Sequence, residues 1–176
     1  MQKVIHSPGI IPTFALGFSR GTSDLNDPGA AWRGIPGNVG FPNRYTFINE
    51  VVPDDSNYLS QGLGNLGALY WEDLGPPILG AGHINYSFRI RTMGGTNPAL
   101  CSAAITLLRG GTLVHNEIIP FLSIGTAFVT FVVGLTAGEI TTLYGVAGNM
   151  QMQYSGGGGP ATDALECAWS EVAFYA

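Results

Sequence analysis

The chain has 176 residues and a mass of 18.5 kDa, enough for one compact domain with an appendage. Its 26 Gly and 11 Pro, about a fifth of the chain, exclude a helical bundle or coiled coil, while 45% hydrophobic against 11% charged residues exclude disorder. A net charge of −5, a single lysine (Lys3) and six scattered arginines make no basic stripe, so no nucleic-acid partner is expected.

Residues 1–43 hold seven Gly and five Pro and show no sustained period, yet they carry Ile10, Ile11, Phe14, Phe18, Trp32 and Phe41. A flexible linker would be polar. Each large apolar group left in water costs about 1.5–3 kcal/mol, so this stretch reads as an extended arm lying against its own body or a neighbouring subunit. The segment cannot be a membrane span, and His6, Pro8, Pro12 and Thr13 interrupt what would be a signal-peptide core. The chain is therefore expected to be made in the cytoplasm, without a membrane partner. Arm charge is +1 against −6 for residues 44–176.

From residue 44 the period becomes 2. Strands are expected at 44–52 and 67–73. His83 to Arg91 alternates without fault, with Ile84, Tyr86, Phe88 and Ile90 on one face, the mark of a half-buried antiparallel strand. Strands at 99–109 and 112–119 flank Gly110-Gly111, a tight hairpin. Thr126 to Val133 alternates again. Thr136-Ala137-Gly138-Glu139 has the spacing of a capping box and opens a short helix. Asn149 to Tyr154 and 164–175 complete about eight strands, and Gly156 to Gly159 reads as a loop tip between them. The fold expected is all-β, a two-sheet antiparallel β-sandwich of jelly-roll type over 44–176 with an extended arm over 1–43.

No constellation points to catalysis. His115 and Glu117 at i+2 share a strand face, a pairing that is more often solvated or interfacial than catalytic, and no nucleophile elbow occurs. Cys101 and Cys167 have no C-x-x-C partner and read as buried apolar groups, so no structural metal is expected. Asp54-Asp55-Ser56-Asn57 reads as a turn rather than a Ca²⁺ loop. Tyr58, Tyr70, Trp71 and Tyr144 are the aromatics that could stack on sugars. Glu117 with Glu171 is the one carboxylate pair worth testing for glycoside hydrolysis. No cofactor is expected.

Four segments carry a resemblance. Glu50 to Leu59 (EVVPDDSNYL) resembles an E-x-x-P-D-D-S-D-Y-I segment, His83 to Arg91 an H-x-x-x-x-R-x-R strand, Leu107 to Leu113 an L-R-x-G-x-x-I hairpin, and Cys167 to Val172 a V-S-W-A-E-L-E-V strand. Together they resemble small β-sandwich virion proteins of tailed bacteriophages and prophages. The resemblance implies a non-enzymatic capsid decoration (cement) protein on the outer shell of the virion. Its partners would be the major capsid protein and itself as a homo-oligomer, most simply a trimer. Ile10, Ile11, Phe14, Phe18, Trp32 and Phe41 would be the interface anchors. The alternatives are a head-fibre or tail protein, or a carbohydrate-binding adhesion module.

Overall fold

A computed structural model describes residues 2–6, 14–25, 32–37, 42–61, 69–94, 101–158 and 164–176. The strands are β1 (Gln2–His6), β2 (Ala15–Ser19), β3 (Ser23–Asp24), β4 (Trp32–Ile35), β5 (Tyr58–Gln61), β6 (Tyr70–Gly75), β7 (His83–Thr92), β8 (Cys101–Arg109), β9 (Thr112–Pro120), β10 (Val129–Gly134), β11 (Met150–Gly158) and β12 (Leu165–Tyr175), with short helices α1 (Phe121–Ile124) and α2 (Ala137–Gly145). They form two sheets packed into a sandwich, as the alternating pattern requires. The seven-stranded sheet runs β1-β10-β7-β12-β5-β4, with β2 also on β12; the five-stranded sheet runs β3-β6-β11-β8-β9. All described pairings are antiparallel except β1 on β10.

The core sits between the sheets. Ile84, Tyr86, Phe88 and Ile90 of β7 are all completely buried, facing Met150, Met152 and Tyr154 of β11 and Ile105 and Leu107 of β8 within one apolar cluster. Both cysteines are free thiols inside it, as their apolar neighbours suggest. The hairpin turns at Gly110-Gly111 with both glycines at positive φ (53° and 81°), where a Cβ would be strained. The capping box forms: the Thr136 hydroxyl accepts from Glu139 N, and the Glu139 side chain accepts from Thr136 N.

Three expectations are corrected. First, the strands described within residues 1–43 belong to the sandwich rather than to a separate arm, the placement on the chain's own body that the sequence left open. Every strand described there joins the sandwich, β1 on β10, β2 on β12, β3 on β6 and β4 on β5. Trp32 finds shelter in cis, 0% exposed with its ring 5.9 Å from that of Tyr70, while Phe14, Leu16 and Phe18 stay at the surface. A buried Trp32 cannot anchor another chain. Second, 44–52 is not a strand but a 3₁₀ turn (Arg44–Phe47) and a loop. The Asp24 carboxylate pulls Arg44 inward, accepting from Arg44 N and Nε at 3.0 Å each and from Tyr45 N at 2.8 Å. Third, the glycine run is not a loop tip up to Gly158. Gly156, Gly157 and Gly158 pair with Ala103, Ser102 and Cys101, and a Cβ at Gly156 would crowd Gln61 Oε1 at 2.5 Å and Leu165 at 3.0 Å.

Candidate functional site

The polar groups with the most perturbed chemistry lie inside the sandwich. Asp24 accepts from the Tyr70 hydroxyl (2.8 Å) and pairs with Arg44, and both of these charged side chains are fully buried. Beside them, Glu72 Oε1 accepts from the Tyr154 hydroxyl and the Ser170 hydroxyl, each at 2.6 Å. Glu72 Oε2 has no hydrogen-bond partner among the described residues and lies against Gly21, where any Cβ would collide with it. Burial pushes the Glu72 carboxyl up to about 7, the hydrogen bonds from Ser170 and Tyr154 opposing that rise and the nearby Asp24 adding to it. Burial and the Glu72 charge likewise raise Tyr70 and Tyr154. At 0% exposure, Glu72 meets no substrate in this state. It is a structural group under electrostatic load.

His115 and Glu117 do share a face, but it is the inner one, at the β9 edge. The His115 ring lies 2.5 Å from Glu139 Oε1 of α2 and 3.3 Å from Glu117 Oε2. Burial alone would raise Glu139, yet hydrogen bonds from His115 and Thr136 outweigh it and hold that carboxyl below its ordinary range. The triad fastens α2 across the edge of the sandwich. Glu171, the other half of the tested carboxylate pair, points out of the opposite sheet and pairs with Arg20. Glu117 and Glu171 therefore flank no common cleft. No group of three metal-ligating side chains is found among the described residues.

The motif residues meet on the outer face of the seven-stranded sheet. Arg89 of β7 forms a two-pronged pair with Asp55 (2.5 and 2.6 Å), and Arg91 reaches Glu166 at 2.5 Å. The Trp169 indole N–H donates to Glu50 O at 2.9 Å, and Ser170 N donates to Ile48 O at 3.0 Å. Loop 48–57 is thus strapped over β12. Asp54 makes the expected turn by accepting from Ser56 N (2.9 Å) and the Ser56 hydroxyl (2.7 Å). Tyr58 is occupied too: the Arg91 guanidinium lies 4.9 Å from its ring and 4.3 Å from that of Phe128. This face is closed by its own side chains.

The outer face of the five-stranded sheet carries another set of side chains. The strand alternation that buries Tyr70, Glu72, Met152, Tyr154, Ile105 and Leu107 turns the intervening residues outward, and they keep partial exposure. Register aligns them in rows. Trp71 of β6 lies opposite Gln153 of β11, Gln153 opposite Thr106 of β8, and Thr106 opposite Asn116 of β9. The next row is Asp73, Gln151, Leu108 and Leu113, and on the other side Ser155, Ala104 and Ile118. Three strand spacings make the central row about 14 Å long. Thr106 donates to Asn116 Oδ1 (2.7 Å) and Asn149 Nδ2 to Asp73 Oδ2 (2.9 Å), while Gln151 Oε1 is buried with no partner among the described residues. One indole, several amides and hydroxyls at fixed intervals, and apolar Leu113 and Ile118 (56% and 61% exposed) form a surface that can both stack and hydrogen-bond. Asp73 is the single carboxylate among the described outward residues of this sheet.

Of the sugar-stacking candidates, then, Trp71 faces outward, Tyr70 is wholly buried, and the Tyr144 hydroxyl is spent on Ile78 O (2.8 Å). Of the interface candidates, Phe14 and Phe18 are 76% and 49% exposed, Trp32 is core, and Ile10, Ile11 and Phe41 lie outside the described residues. The glutamines were visible in the alternation of Asn149 to Tyr154. Thr106 and Asn116 were not, because only pairing register brings them beside Trp71.

No family model matches the chain, and no curated protein does. Solved structures of similar fold include the xylan-binding module CBM15, at a TM-score of 0.50 and 12% identity over 87% of this chain and 95% of that one. Others are the C-terminal CBM6 of a marine laminarinase from Zobellia galactanivorans (0.48, 12%, 89% and 97%) and a cyclase from Fischerella sp. TAU (0.47, 12%, 85% and 87%). At 12% identity the likeness to CBM15 is one of fold alone.

Proposed function

We propose that this chain is a non-catalytic carbohydrate-binding module whose ligand lies on the outer face of the five-stranded sheet. The observation that carries the reading is the row Trp71, Gln153, Thr106 and Asn116. A sugar ring presents apolar C–H faces and polar edges, and the row offers an indole for the first and amide and hydroxyl groups for the second. The test is affinity electrophoresis against a panel of soluble polysaccharides. The wild type is retarded by at least one of them and releases no product from it. Trp71→Ala weakens that retardation tenfold or more, which is about 1.4 kcal/mol, with an unchanged unfolding midpoint. Retardation by none, or undiminished binding by the variant, rejects the reading.

A second reading keeps the virion resemblance. Exposed Phe14 and Phe18 flank and occupy β2, whose far edge has no partner among the described residues, and such an apolar edge suits contact with a capsid subunit or another copy of the chain. Copy number in purified particles tests it: hundreds for a cement protein, a handful for a fibre or tail part, none if the resemblance is superficial.

A further inference from the structure

Resting on the carbohydrate reading, we infer that the sheet face selects by charge: it takes neutral glycans and turns away acidic ones, with Asp73 as the group that does the rejecting. Among the described outward residues of this sheet there is one carboxylate and no cation. The outward set is Ser23 on β3, Trp71 and Asp73 on β6, the glutamines and Ser155 on β11, Ser102, Ala104, Thr106 and Leu108 on β8, and Leu113, Asn116 and Ile118 on β9. Arg109, the nearest arginine in sequence, turns away to donate to Leu143 O and Gly148 O. A uronate on this surface would find no counter-charge.

Asp73 is held in place to act. Its Oδ1 accepts from Gly75 N (2.7 Å) and its Oδ2 from Asn149 Nδ2 (2.9 Å), so its carboxylate cannot swing out of the way. Directly opposite in register stands Gln151, a neutral amide, so the row sets no cation against the Asp73 carboxylate.

The experiment compares one backbone in two forms. Whichever neutral polysaccharide retards the protein is prepared as hydroxyethyl and as carboxymethyl derivative at equal substitution, and affinity electrophoresis is run at ionic strengths of about 0.01 M and about 1 M, where screening lengths are roughly 30 Å and 3 Å. At low salt the wild type binds the carboxymethyl form at least roughly fivefold more weakly, the effect of one like charge about 4 Å away in water. High salt closes the gap. Asp73→Asn narrows it at low salt, whereas Asp54→Asn, an equal change of net charge in the loop over the other sheet, leaves the ratio at the wild-type value. Equal wild-type binding of both forms, or a ratio that Asp73→Asn moves no more than Asp54→Asn does, overturns the inference and leaves the carbohydrate reading standing. Binding to no neutral polymer removes both.

Discussion

Replacing Glu72 by Gln should abolish a large part of the protein's pH dependence of stability. The carboxyl is fully buried and titrates near 7, against 4.5 for the free side chain. An acid whose folded pKa exceeds its unfolded value binds more protons folded than unfolded between the two, so stability falls as pH rises from about 4.5 to about 7 and is level above. The rise from 4.5 to about 7 corresponds to roughly 3 kcal/mol. Glutamine keeps an oxygen for Tyr154 and Ser170 but cannot ionise. Urea unfolding at pH 4 and pH 8 measures this. Wild type loses stability between the two by roughly 3 kcal/mol more than the variant does, or about 6–12 °C in midpoint for a chain of this size. Identical pH profiles for the two proteins would show that Glu72 is not the loaded group.

Asp24→Ala leaves the buried Arg44 guanidinium without its carboxylate and also strands Tyr45 N and the Tyr70 hydroxyl; a loss of about 3–5 kcal/mol in urea unfolding is expected. Trp32→Ala should cost about 3–5 kcal/mol because the side chain is wholly interior. Phe18→Ser, at a side chain 49% exposed, should stay within about 0.5 kcal/mol. The reverse ranking of those two would return Trp32 to the surface.

The fold was legible where alternation was strict. β7 through β12 follow from period 2 and from turn glycines, and α2 follows from its capping box. Legibility failed where one long-range ion pair overrode local pattern. Nothing near Arg44 announces that Asp24, twenty residues earlier, will draw it inward and turn an apparent strand into a 3₁₀ turn. The apolar content of residues 1–43 demands cover without saying whose surface supplies it: Trp32 finds it in the core, while Phe14 and Phe18 do not. The site was half legible: Trp71 stood out as an aromatic and the glutamines as a polar stripe, while their juxtaposition with Thr106 and Asn116 depends on strand order.

The position of β12 has a kinetic corollary. It carries β7 along one side and both β2 and β5 along the other, so β2 has no partner, and the β4–β5 pair no place in its sheet, until residues 165–175 exist. During synthesis β2 would therefore wait for about 150 residues of chain before its partner is made. Fragments that stop short of β12 should accordingly be poor folders and attractive to chaperones, and folding of the intact chain should be slow, as expected when the decisive contacts span most of the sequence.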